Sequence, residues 1–147
     1  MNTLRLMTVL IVLVILFGAP ARAKGFRTPA QDIIQQLFLA FNRHDLDAMA
    51  RLYARDAVLD SPDFCSARSG PEGVRKTYAD LFRTFPDIID QVAVSIGNGD
   101  RVAVQFVAHS QGFEPTGELR LATFFTIRNG LIVRDETYFD AHGQPCS

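Results

Sequence analysis

The side chains able to move protons in this chain gather toward its C-terminal end. Asp140 closes the run of residues 131–140, with Glu136 and Tyr138 at alternate positions before it. An acid on the inward face at the end of a sheet is costly unless it is paired, protonated or at the mouth of a cavity. Strand ends also commonly carry an exposed Asp, and Ala141-His142-Gly143 reads as the start of a turn. Asp140 can therefore instead face solvent or pair with Arg134. Asp60-Ser61-Pro62-Asp63 puts two acids into one loop, although the same residue types are ordinary turn formers. His109 is the histidine nearest in kind to a partner for Asp140; His44 sits between two helical patterns and His142 near the terminus. Three His and two Cys without close spacing give no metal site. There is no G-x-S-x-G, phosphate loop or dinucleotide fingerprint. None of these patterns implies a metal or an organic cofactor.

Those residues need elements to hold them. Thr28-Pro29-Ala30-Gln31 supplies a cap, a first-turn Pro and a capping-box partner. Ile33, Ile34, Leu37, Phe38 and Phe41 then share one helical face. Asp45 caps a second short helix holding Leu46, Met49, Leu52 and Tyr53, and Ala57-Val58-Leu59 reads as a short strand. After the loop at 60–68, Ser69-Gly70-Pro71-Glu72 starts a third helix with the stripe Val74, Tyr78, Leu81, Phe82 and Phe85, which Pro86 stops. Residues 89–96, 101–111, 118–128 and 131–140 read as strands, the last two joined by the strong turn Asn129-Gly130. Helices followed by an antiparallel meander make the class α+β.

A two-residue turn at Asn129-Gly130 sets Ile127 opposite Ile132, Thr123 opposite Glu136, Leu121 opposite Tyr138 and Leu119 opposite Asp140. This face is the more apolar at its centre and is expected to cover the helices, carrying Arg134, Glu136, Tyr138 and Asp140 inward. In the preceding strand Val102, Val104, Phe106 and Ala108 take the apolar side. His109 then faces outward unless a bulge near Ser110 turns it.

The N-terminal 23 residues read as a cleavable signal peptide. Arg5 precedes the uncharged run 6–17, too short for a spanning helix of about 20 residues, and Ala21-Arg22-Ala23 offers small residues at a cleavage site. Residues 24–147 then form one domain, exported to the periplasm or secreted, with no membrane attachment after cleavage. Losing Arg5 and Arg22 takes 15 basic side chains to 13 against 16 acids, a net charge of −3. That argues against a nucleic-acid partner, which calls for a basic face. Cys65 and Cys146 suit an oxidising compartment. A disulfide between them would close a loop of roughly 80 residues, worth about 4–5 kcal/mol in the chain-entropy model; two unrelated thiols are the alternative.

The run from Phe41 to Ala48, continuing through Leu52-Tyr53-Ala54-Arg55-Asp56-Ala57-Val58, resembles the opening of the nuclear transport factor 2-like superfamily. Pro115-Thr116-Gly117 and the ending from Gly130 to Asp140 resemble its SnoaL-like, polyketide cyclase branch. The resemblance implies a cystatin-like cone. A curved antiparallel sheet wraps the N-terminal helices, a pocket lies at the open end, and homodimers form through the sheet. It also implies an acid/base role for Asp140, which matches the family's Asp at the end of the last strand. A family histidine before the P-T-G loop has His109 as its nearest match. In the ketosteroid isomerase branch, matched along residues 56–70, the base Asp falls on Ser61, with Asp60 one place early, and the oxyanion-hole Tyr falls on Leu37. With both groups missing, ketosteroid isomerase activity is not expected.

The expectation is an exported protein that admits an apolar carbonyl compound and moves a proton with Asp140, as an isomerase, cyclase or lyase. Tyr138, Glu136, Thr123, Tyr78, Phe82 and Phe85 would line the pocket, with Asp60 and Ser61 at its mouth. The alternative is a non-catalytic ligand-binding or protein-interaction module of the same fold.

Overall fold

The computed structural model describes residues 27–140. The expected signal peptide, His142 and Cys146, and with Cys146 the expected disulfide to Cys65, lie outside the described residues. Three helices and six strands follow in the order α1 (Pro29–Phe41), α2 (Leu46–Ala50), β1 (Tyr53–Asp60), β2 (Arg68–Ser69), α3 (Gly70–Thr84), β3 (Ile89–Asn98), β4 (Arg101–His109), β5 (Glu118–Arg128) and β6 (Leu131–Tyr138). The strands make one curved, unclosed sheet in the order β2-β1-β6-β5-β4-β3.

Local chemistry explains most boundaries. Thr28 and Gln31 close the capping box at the start of α1, and Asp45 accepts from Ala48 N at 2.9 Å to cap α2. Ser69 makes no side-chain cap; it pairs with Val58 in the sheet instead. Gly70 is required there, because its φ is +60° and a Cβ would stand 2.4 Å from Arg55 O. Tyr53, expected on α2, starts β1, which runs parallel to β6.

The core lies between α1 and the concave face of the sheet. Ile34, Leu37, Phe38 and Phe41 meet Val102, Val104, Phe106, Phe125 and Ile127, with Phe38 edge-on to Phe106 at 5.0 Å. In α3 only Gly70 and Val74 are fully buried. The rest of its apolar stripe is half-buried, because most of that side looks into a cavity rather than onto the sheet.

The β5–β6 hairpin corrects the expected register. Asn129 and Gly130 adopt φ +51° and +77°, and Arg128 pairs with Leu131 and Ile127 with Ile132, as a two-residue turn dictates. Then Thr126 pairs with Arg134, leaving Val133 as an extra residue. A bulge of one residue reverses the alternation beyond it. Asp135 now faces Phe125 and Thr137 faces Thr123, while Glu136 and Tyr138 pair with Phe124 and Ala122 on the other side. The physical reason lies in the charges. The unbulged register would press Arg134, Glu136 and Asp140 toward the core. With the bulge, Arg134 and Glu136 meet outside at 2.7 Å, and only Asp135 goes in.

Candidate functional site

A cavity of about 550 Å³ opens between α1, α3 and the concave face of the sheet. Its walls are mainly apolar, built from Leu37, Phe41, Leu81, Phe106, Leu121 and Phe125. Five Asp side chains line it with Arg68 and Lys76; Asp60, Asp63 and Asp80 are exposed, whereas Asp135 from β6 and Asp90 from β3 lie deeper in the apolar surface.

Asp135 is 4 % exposed. Tyr53 donates to its Oδ2 at 2.6 Å, and Thr137 donates to Oδ1 at 3.4 Å. Thr123 and Thr137 are themselves joined at 2.8 Å, so a row of hydroxyls leads to the carboxylate. Burial pushes the Asp135 pKa up to about 6, against the lowering effect of Tyr53 and Thr137.

Asp90 is fixed through its backbone. Asn42, at the end of α1, donates to Asp90 O at 2.9 Å and accepts from Asp90 N at 2.7 Å. Its Oδ1 is buried and has no hydrogen-bond partner, and burial raises its pKa to about 8. Tyr78 stands under the influence of both acids. Burial first, then the charges of Asp135 and Asp90, hold its hydroxyl well above the usual range, and it interacts with the hydroxyl of Tyr53. Near pH 7 the deep part of the cavity therefore presents the Asp135 carboxylate, the mostly protonated Asp90 carboxyl and the neutral phenol of Tyr78, with the Tyr53 phenol buried behind Asp135.

The residues singled out from sequence divide. Thr123, Tyr78, Phe85, Asp60 and Ser61 line the cavity. Ser61 donates to Asp63 on its exposed side. Ser61 and Leu37, the positions matched to the isomerase base and phenol, both line the cavity without a carboxyl or phenol. Phe82 packs away from the cavity, stacked on His44 with ring centroids 4.0 Å apart and edge-on to Phe41 at 5.1 Å. His44, between α1 and α2, is half-buried, and its Nε2–H donates to Ile88 O at 3.0 Å. Glu136 and Tyr138 face outward because of the bulge, and Tyr138 is 56 % exposed. Asp140 lies exposed just beyond β6 and does not line the cavity. His109 faces outward as alternation requires, 3.8 Å from Glu118, with no bulge at Ser110.

Asp135, Asp90 and Tyr53 are not singled out by the sequence pattern. Asp90 had a signal: it shares a face of the chain with Ile88, which is 2 % exposed, two residues before it. The signal for Asp135 was the excess of charge on the face expected to be inward.

No functionally curated protein matches the sequence. Solved structures do. IdmH, a proposed polyketide cyclase from Streptomyces antibioticus, is 29 % identical, with a TM-score of 0.67 over 80 % of this chain and 96 % of that one. TerC, crystallised with polyporic acid, is 20 % identical, with a TM-score of 0.70 over 82 % of this chain and all of its own. A proposed polyketide cyclase from Sinorhizobium meliloti is 23 % identical, with a TM-score of 0.65 over 76 % of this chain and all of that one. The last two share the fold. The family model for the SnoaL-like domain matches residues 34–135, more than half of the sequence and nearly all of the cone described above, and the chain therefore belongs to the SnoaL-like domain family.

Proposed function

We propose that this protein is a cofactor-free acid/base enzyme acting on an apolar, ring-bearing carbonyl compound, as a cyclase or isomerase. The observation that carries the reading is the pair of carboxyls in one apolar cavity, whose environments separate their pKa values to about 6 and about 8. Such a pair divides naturally into base and acid. The Asp135 carboxylate, oriented by Tyr53 and Thr137, takes a proton from the carbon beside the substrate carbonyl. The Asp90 carboxyl and the Tyr78 hydroxyl donate hydrogen bonds to the carbonyl oxygen as it gains negative charge. Returning the proton to another carbon gives isomerisation. Attack of the enolate carbon on a second carbonyl gives ring closure. This assigns the proton transfer to Asp135 and Asp90 in place of Asp140, which the bulge keeps out of the cavity.

The test is a carbon-detected NMR titration of the side-chain carboxyls, assigned with Asp90→Asn and Asp135→Asn, followed by a screen of enolisable ring ketones for proton exchange. Titration near 8 and 6 with exchange lost in both variants supports the reading. Both groups titrating at or below the ordinary value of about 3.9 would leave the non-catalytic binding module.

Two further readings belong to the same proposal. The protein is exported by cleavage after Ala23, supported by the layout of residues 1–23, and mass spectrometry of the exported form should find Lys24 at its N-terminus. A second copy covers the outer face of the sheet, supported by the exposure there of Phe124, Tyr138, Val94 and Ile96.

A further inference from the structure

The sheet ends at β3, whose outer side has no neighbouring strand. Helix α1 lies along that side and grips it at both ends. From its first turn, Gln31 Nε2 donates to Ser95 O at 3.1 Å. Just past its last residue, Asn42 holds both backbone groups of Asp90, donating to the carbonyl at 2.9 Å and accepting from the N–H at 2.7 Å. A side-chain amide presents a donor and an acceptor as a strand backbone does, so Asn42 stands where a further strand would pair. The bulge between Val92 and Val94 turns the backbones of Asp90 and Ser95 to the same outer side.

The two grips hold different things. Ser95 does not line the cavity, whereas Asp90 carries its carboxyl into the cavity wall, with Oδ1 covered and unpartnered. A carboxyl so placed gains by swinging out to water, and the first residues of an edge strand are where a sheet opens most easily. The α1–α2 turn opposes that movement a second time. His44 Nε2–H donates to Ile88 O at 3.0 Å, and the His44 ring is itself stacked on Phe82 of α3. One turn thus fastens the segment 88–90 from outside.

We propose that Asn42 is a positioning residue that keeps the Asp90 carboxyl in the cavity by clasping its backbone, with His44 as the second hold. The inference rests on the acid/base reading of the cavity and deepens it, because the acid is placed by a turn whose Asn42 and His44 do not themselves line the cavity. Without the clasp the start of β3 moves outward, water reaches the carboxyl, and the charged form becomes easier to make.

The test repeats the carbon-detected carboxyl titration in Asn42→Ala, with Gln31→Ala as the comparison and His44→Gly as the second variant. Glycine adopts the φ of +53° at residue 44 freely, so His44→Gly removes the ring without straining the turn. Asp90, at about 8 in the native protein, should fall in Asn42→Ala by about 2 units or more, while Asp135 stays within about 0.5 unit. His44→Gly should lower Asp90 by about 1 unit. Gln31→Ala also loses an α1–β3 contact, and the capping box with it, so it should melt about 3–6 °C lower. It should nonetheless leave Asp90 within about 0.5 unit of its native value. Asp90 unmoved in Asn42→Ala, or moved as far by Gln31→Ala, overturns the inference. If Asn42→Ala does not fold, an unmoved Asp90 in His44→Gly overturns it instead. A native Asp90 titrating at its ordinary value overturns the acid/base reading itself, so the two failures are told apart.

Discussion

The two faces of the sheet break opposite rules. The concave face, which should be apolar, carries Asp135, Thr123, Thr137 and Asp90. The convex face, which should be polar, exposes Phe124 at 52 %, Tyr138 at 56 % and Ile96 at 64 %. On the first face polar groups are buried at the expense of stability; on the second apolar groups are left in water. Neither helps an isolated domain fold, and each supports one part of the proposal: a ligand inside and a second copy outside. One residue divides the two chemistries, because Val133 decides which side chains of β6 belong to which face.

Deleting Val133 tests where the extra residue lies. Arg134 would then follow Ile132 directly and still face Thr126, with Asp135 still opposite Phe125 and Glu136 opposite Phe124. The bulge should be lost and both faces kept, with the cooperative unfolding and near-ultraviolet circular dichroism of the native protein. A deletion variant that loses either would mean that Val133 is not the residue that stands outside the pairing.

Asp135→Asn should keep the fold and lower turnover by about 10²–10⁴-fold, the usual contribution of a positioned base. Tyr53 can still donate to the amide oxygen, so the hydroxyl row is preserved. Glu136→Gln, one residue away on the convex face, should leave turnover within about 2-fold. Equal losses in the two variants would erase the distinction between the faces.

How much of this was legible in the sequence follows from what each signal depends on. Caps, a stop at Pro86 and the Asn129-Gly130 turn are local, and they placed three helices and four of the strands close to where they lie. The family resemblance supplied the cone. The site was harder because it depends on register. A bulge costs one extra residue and leaves no special residue type behind: Val133 is a normal strand residue. The warning was energetic. A face carrying Arg134, Glu136 and Asp140 was a poor core, whereas Ile132, Asp135, Thr137 and Phe139 require only one charge to be buried. Asp90 was harder still. Its burial comes from α1, through Asn42, and from the cavity itself, neither of which appears in the pattern of its own strand.

The concave face should also reveal itself in the pH dependence of stability. Folded Asp90 keeps its proton up to about pH 8, whereas its ordinary value is 3.8. Between these values the folded chain binds more protons than the unfolded one, so stability falls as pH rises, by roughly 1.4 kcal/mol per unit. The contribution is complete below about pH 4 and lost above about pH 8. Asp135 adds a similar fall that ends near pH 6. Asp90→Asn should therefore be more stable than the native protein by a few kcal/mol at pH 9, and within about 1 kcal/mol of it at pH 4. Urea unfolding at the two pH values measures the difference. A pH-independent gap would assign the change to packing rather than to the buried acid.

The smallest effect on the fold, and the sharpest on assembly, belongs to the convex face. Phe124 and Tyr138 meet edge-on with ring centroids 5.9 Å apart, across the β5–β6 pairing that the bulge creates. In the expected register Tyr138 would have faced inward, and this aromatic pair would not exist. The same residue that buries Asp135 thus builds the apolar patch outside. Phe124→Asp with Tyr138→Asp places two like charges on that patch and, in a dimer, four where the copies meet. Both side chains are more than half exposed, so the monomer should lose about 1 kcal/mol or less. Sedimentation at micromolar concentration should move from dimer to monomer, while the Asp90 and Asp135 titrations stay where they were. If the double variant sediments like the native protein, the convex face is not where two copies meet. If the carboxyls titrate differently in the monomer, the two faces of the sheet are coupled through β6 rather than merely separated by it.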